Sequence, residues 1–238
     1  MITAAILAAL LPLGGVVPGL DGSTPGAGEK RRLASVPQDA KLKKIYLSPD
    51  ARRLGFIASR GNKEFAVVDG HGLVYFNIED TAELATLDAR AGKLVARYSI
   101  APCSSPTGLD MDPQGRLYSV CDNGLMVVSD PVAGKVVGQA GIGAGPDGVV
   151  WLDGYAISAN GRDGTATIVA ESAPGHFEAL ATITVAPGAR TIAADRALHK
   201  LYLPTAEFEP EAPAAPGQKP ARPRAIAGTF QVIVVSAP

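Results

Sequence analysis

The sequence has no excess of either charge: 22 Lys plus Arg stand against 23 Asp plus Glu, for a net charge of -1. A dominant nucleic-acid footprint normally shows a clear basic surplus, which is missing. Long helical runs of Leu, Glu and Lys are also absent, and apolar spacing of two instead of 3.6 excludes the helical solenoids. Beyond the N-terminus no segment is long and apolar enough to span a bilayer. The 3 histidines, His71, His176 and His199, are scattered without HExxH or paired ligand spacing and read as surface residues. No G-x-S-x-G elbow and no Walker A loop occur. The run "GIGAGPDG" (141–148) leads to an apolar strand and not to a helix, so it is rejected as a dinucleotide loop.

What is plentiful is Gly (27) and Pro (19), the profile of many turns joining short strands. The first residues, "MITAAILAALLPLGGVVPGL", have the apolar stretch of a signal peptide, broken by Pro and Gly before membrane-spanning length. No Lys or Arg precedes Lys30, and no clear Ala-x-Ala site follows. Residues 1–29 are therefore read as a signal-like or disordered start, with a periplasmic or secreted protein expected.

A repeat organises the rest. "DARAGKLVAR" (88–97) and "DPVAGKVVGQ" (130–139) lie 42 residues apart and share an acidic residue, Ala-Gly-Lys and an alternating apolar tail. Strand–turn–strand units recur around Asp69, Asp112, Asp153 and Asp195, spaced by 43, 41 and 42. A second acidic position recurs at Asp88, Asp130 and Glu171 in the same register. The aspartates suit turns because the carboxylate bonds backbone N–H groups two residues on. A period near 40 with short alternating strands predicts an all-β fold, a β-propeller of four-stranded blades. Four clear blades fall at about 62–103, 104–145, 146–188 and 189–238, after a half-blade at 40–61 with Asp50 in its turn, all within a domain at 30–238. "RRLASV" (31–36) is a candidate to complete the last blade, and a Pro-rich insertion (209–228) interrupts it. Lys219, Arg222 and Arg224 make the insertion's second half basic; a solvated loop is the plainer reading, without aromatics for base stacking.

With this register, "NKEFAVVDGHGLVYFNIEDTAELATLDARAGKLVARYSIAPCSSPTGLDMD", "LMVVSDPVAGKVV" and "GARTIAADRALHKLYLPTAEF" resemble the bacterial YVTN-type (YncE-like) seven-bladed β-propeller repeat family. The resemblance covers roughly residues 62–235. It implies an exported protein that binds and does not catalyse; one member is associated with single-stranded DNA. The departure is length, since seven blades at this period need about 290 residues. A small ring, an open arc, or a chain whose edge strands are covered by a partner or oligomer all fit.

Two groups of residues are candidates for a site. The loops leading into the inner strands place Glu64, Thr107, Asp147 and Arg190 near a channel mouth, either as a ligand site or as ion pairs among themselves. Arg190 is preferred because a guanidinium holds a carboxylate or phosphate bidentately. The turns between second and third strands gather Asn77, Glu79, Asp80, Asp122, Asn123, Asn160, Arg162, Asp163 and Glu207 on one polar rim. Ordinary solvated turns are the plainer account; a divalent cation is the alternative, and no cofactor or catalytic residue is otherwise expected. Cys103 and Cys121 sit nine residues either side of Asp112 and read as a disulfide clamp or as free buried thiols. A catalytic Cys lacks a nearby His.

The leading expectation is an exported binding or interaction scaffold for a small ligand or protein partner. A lactonase-like or quinoprotein-like propeller enzyme with a channel metal or cofactor, and a single-stranded nucleic-acid binder, are the alternatives. A stoichiometric cation lost on Glu79→Ala or Asp163→Ala marks the enzyme. Salt-dependent strand binding weakened by Arg190→Ala marks the nucleic-acid binder.

Overall fold

The computed structural model describes residues 7–12, 41–47, 53–59, 63–210 and 223–236, with backbone alone for 7–12, 41–47, 53–59 and 63–64. The described residues form five antiparallel sheets and no α-helix. Three of the sheets are four-stranded meanders in chain order. The first has β4 (Lys63–Val68), β5 (Leu73–Ile78), β6 (Glu83–Asp88) and β7 (Lys93–Ser99). The second has β8 (Pro106–Met111), β9 (Leu117–Cys121), β10 (Leu125–Asp130) and β11 (Lys135–Gly141). The third has β12 (Pro146–Leu152), β13 (Tyr155–Asn160), β14 (Thr165–Ala173) and β15 (His176–Thr184). A three-stranded sheet of β16 (Ala193–Asp195), β17 (Lys200–Thr205) and β18 (Gln231–Ser236) follows.

The N-terminal sheet pairs β2 (Lys41–Leu47) with β3 (Arg53–Ser59), the strand–turn–strand unit expected over 40–61. Its third strand is β1 (Leu7–Pro12), aligned on β3 from Leu7↔Ala58 to Pro12↔Arg53. Leu7–Pro12 thus lies on an edge of that sheet. Asp50 and the segment 31–36 lie outside the described residues.

The first strand of each meander packs against the first strand of the next: β4 on β8, β8 on β12, and β12 on β16. Glycine allows the closest of these approaches. A Cβ on Gly108 would stand 3.0 Å from the Asp147 carbonyl oxygen, and one on Gly148 would stand 3.0 Å from the Ile192 nitrogen. Alternation then fills the gaps between sheets. Tyr75 and Leu84 meet Leu109, Leu117 and Val127 between the first and second sheets. Tyr118, Val120 and Val128 meet Val149, Ala156 and Phe177 between the second and third. Leu152 and Ile157 meet Leu201 and Leu203 between the third and the last. On the last sheet the alternate residues Val232 and Val234 face away from that core and are about half exposed, at 47% and 51%.

The two Ala-Gly-Lys stretches occupy equivalent turns between third and fourth strands. Asp88 Oδ1 accepts from the N–H of Arg90 and Ala91 at 2.8 and 2.9 Å. Asp130 Oδ1 accepts from Val132 and Ala133 at 2.8 and 3.0 Å. Gly92 and Gly134 follow at φ 64° and 63°, the left-handed conformation that glycine adopts without steric cost. Lys93 and Lys135, both exposed, then open the outer strands.

The first-turn aspartates behave alike at Asp69, Asp112 and Asp195, whose Oδ1 atoms cap downstream N–H groups. Asp153 differs. Its turn has only two residues, Asp153 and Gly154, both at positive φ, so no downstream amide is placed for the carboxylate to cap. The carboxylate reaches across to His199 Nδ1 at 2.6 Å on the corresponding turn of the last sheet.

Candidate functional site at the inner-strand mouth

The starts of β8 and β12 and the loop before β16 bring three of the four expected mouth residues to neighbouring positions. Asp147 Oδ2 lies 3.3 Å from Arg190 Nε, with side chains 24% and 48% exposed. Thr107 Oγ1 donates to the Pro146 carbonyl at 3.0 Å, so its hydroxyl joins the second and third sheets. The backbone of Glu64 lies in β4; its side chain is outside the described residues. Arg190 is held by close backbone packing beneath it: a Cβ on Gly161 would sit 2.4 Å from Arg190 Cβ. Gly161 N–H donates to the Gly145 carbonyl, and Gly188 N–H donates to Gly161. The charged pair therefore stands on a stack of three loops tied through main chain.

The polar rim divides differently from its reading as a solvated face. Asn77 and Asn160 are fully buried. The start of β8 is bulged between Pro106 and Leu109, which leaves carbonyls without ladder partners. Asn77 Nδ2 donates to two of them, Thr107 and Gly108, each at 3.1 Å, while its Oδ1 accepts from Ser119 Oγ. Asn160 accepts from Ser158 Oγ and donates to Thr165 and Thr167, closing a hydroxyl network inside its own sheet. A sequence pattern cannot separate such an amide from an exposed turn residue, because both end a strand.

The remaining rim residues are more open but mostly engaged. Asp163 Oδ2 accepts from Ala144 N–H at 2.7 Å. Arg162 lies 3.8 Å from Asp122, both exposed. Asn123 donates to the Pro102 carbonyl and accepts from Ser104 N–H, fixing the loop that carries Cys103. Glu79 and Asp80 occupy a 3-10 turn, Glu79–Thr81. Glu207 is exposed, and its backbone pairs with Ile226 and Thr229 at the base of the Pro-rich insertion. Among the described residues no three His, Cys, Asp or Glu side chains are grouped to hold a metal ion.

Cys103 and Cys121 form a disulfide with Cα atoms 5.4 Å apart. Cys121 pairs with Pro106 across β8 and β9, and the loop before Pro106 curls back so that Cys103 reaches it.

On the opposite face, sequence reading missed a polar junction. Arg116 Nε donates to Asp112 Oδ2 at 2.6 Å and Nη1 donates to Glu171 Oε2 at 2.5 Å, linking the second and third sheets. Tyr118 Oη donates to the same Asp112 oxygen at 3.1 Å, and burial first, then Asp112, pushes its pKa up. The Arg116 hydrogen bond, followed by Gly175 N–H, holds Glu171 below the usual carboxylate range. Tyr98 performs a similar linkage between the first two sheets by donating to Ser129 Oγ, and burial pushes its pKa up to about 12. The recurrence of Asp112 and Glu171 at repeat positions was legible; their joining by Arg116 depends on sheet stacking.

No family model and no curated protein matches the chain. Among solved structures the chain is similar to hydrazine synthase of Kuenenia stuttgartiensis, with TM-score 0.51 and 15% sequence identity. The match covers 57% of this chain and 39% of that one. At this identity the likeness is one of fold: an all-β arrangement of successive antiparallel meanders.

Proposed function

We propose that the chain is part of an exported β-propeller of the YVTN type and acts as a binding scaffold, with its ligand at the inner-strand mouth beside Asp147 and Arg190. The observation that carries this reading is the position of that pair. It sits where the inner strands converge, on loops tied through main chain, with Arg190 about half exposed at 48%. The Asp147 contact uses Nε, which leaves the two terminal nitrogens of the guanidinium for an incoming carboxylate or phosphate. The propeller reading is supported by the inner strands packing β4 on β8 on β12 on β16. Export is supported by the Cys103–Cys121 bond, since structural disulfides persist in oxidising compartments.

The test is titration of the full chain with inorganic phosphate and with succinate, followed by calorimetry or amide shifts. Saturable binding that disappears in Arg190→Ala and leaves the fold intact supports the mouth as the site. Absence of saturable binding of either anion to the wild-type chain removes it. Small-angle scattering on the same sample separates an open arc from a closed ring or a dimer.

A further inference from the structure

We propose that a second site, on the face opposite the Asp147–Arg190 mouth, binds a small organic ammonium compound in the cleft between the first and second four-stranded sheets. The cleft has a volume of about 610 Å³, within the range that accepts small ligands. Asp69, His71 and Tyr75 of the first sheet form one wall, and Met111, Asp130 and Val132 of the second form the other.

Its charge is unbalanced. Asp69 spends Oδ1 on the N–H groups of His71, Gly72 and Leu73, and Asp130 spends Oδ1 on Val132 and Ala133. Neither carboxylate has an ion-pair partner among the described residues, and in each Oδ2 is left over. The cation that does border the cleft, Arg116, is consumed by Asp112 and Glu171. Two negative charges therefore face a cavity without a protein cation to neutralise them.

A third group points to a ligand independently. Tyr75 is 93% buried by the packing of the two sheets, with 7% of its surface left, and it lines the cleft. Its hydroxyl makes no hydrogen bond among the described residues. The hydroxyl is not among the buried atoms left unsatisfied, so it opens into the cleft, where water or a ligand bonds it. Burial first, then the nearby Asp69 carboxylate, push its pKa up, so the group stays a neutral hydroxyl that accepts from an ammonium N–H.

The apolar contribution comes from Met111 and from Val132, which stands 95% exposed at the margin. An ammonium on a short alkyl chain meets all of these groups: carboxylates for the charge, the phenol for a directed hydrogen bond, and aliphatic surface for the chain. A metal ion suits the cleft less well, because no group of three metal-ligating side chains occurs among the described residues.

The experiment uses the 15N-labelled full chain and titrates n-butylamine against n-butanol, following backbone amide shifts. The expected result is saturable shifts at His71, Gly72, Val132 and Ala133 with butylammonium, at a Kd of about 1 mM, and none with butanol. Asp69→Asn and Asp130→Asn keep an oxygen for the turn N–H groups, so they preserve the fold while removing the charge. Each should weaken binding about tenfold, Tyr75→Phe should weaken it several-fold, and Asp147→Asn should leave it unchanged. Equal response to amine and alcohol, or unaltered affinity in both Asn variants, would overturn the proposal. Loss of binding in Asp147→Asn would place the cation at the mouth and overturn it equally, whereas failure here leaves the anion titration at Arg190 untouched.

Discussion

Arg116, on the first turn of the second four-stranded sheet, lies 2.5 Å from Glu171 of the third, although 55 residues separate them in the chain. The same guanidinium holds Asp112, whose side chain is wholly buried. One cation thus neutralises a buried carboxylate and joins two sheets. Removing it in Arg116→Ala leaves Asp112 with its Tyr118 and backbone bonds but no countercharge. The expected loss is about 2 kcal/mol, discounted from a fully buried pair because Arg116 itself is partly exposed. Denaturant unfolding measures it; a loss indistinguishable from zero would mean the junction contributes nothing.

The same pair carries a pH signature. Glu171 titrates below its ordinary value of 4.5 in the folded chain, chiefly because Arg116 donates to it. A depressed folded pKa gives stability that is complete above the unfolded value and is lost as pH falls through the folded one. Stability should therefore decline below about pH 4.5, and Glu171→Gln should flatten that decline by lowering stability at neutral pH, so that variant and wild type converge in acid. Parallel acid titrations of wild type and variant by circular dichroism would reveal it.

Asn77→Ala tests the buried amide at the bulge. The substitution strands the Thr107 and Gly108 carbonyls and the Ser119 hydroxyl inside the core. A cost of about 2–4 kcal/mol is expected from the unpaired groups. A surface asparagine would give a change within about 0.5 kcal/mol, so thermal unfolding separates the two roles sharply.

Gly108→Ala tests the spacing of the inner strands. Its new Cβ would meet Val120 Cγ2 at 2.9 Å and the Asp147 carbonyl at 3.0 Å, so β8 and β12 must move apart. A loss of about 1–3 kcal/mol is expected. Gly141→Ala, where a Cβ meets nothing within 4 Å and φ is not left-handed, serves as the silent control. Equal melting temperatures for both variants would show that the inner strands are not closely apposed.

Reducing the Cys103–Cys121 bond, or replacing both cysteines by serine, opens a loop with a sequence separation of 18. Loop-closure entropy predicts a loss of about 3 kcal/mol. Unfolding curves with and without reductant give the value directly.

The sequence by itself determined the strands, the turns and their period. Each of these is a local matter: alternation every second residue, a carboxylate capping amides two residues on, and glycine where φ is positive. Asp88 with Gly92 and Asp130 with Gly134 could therefore be aligned without knowing where either lay in space. The placing of Cys103 and Cys121 nine residues either side of the Asp112 turn was legible for the same reason, as a hairpin around a known turn fixes its own register. Which polar ends are buried was decided only by the stacking of sheets. Asn77 and Asn160 ended strands like any rim residue until a bulge of the next sheet enclosed the first and a hydroxyl network of its own sheet the second. Stacking also pairs Asp147 with Arg190, sends Asp153 to His199, and spends Arg116 on Glu171 while leaving Asp69 and Asp130 without a cation. Local chemistry sets what each turn does for its own backbone; the charge left over depends on which neighbour arrives, and that is a property of tertiary packing.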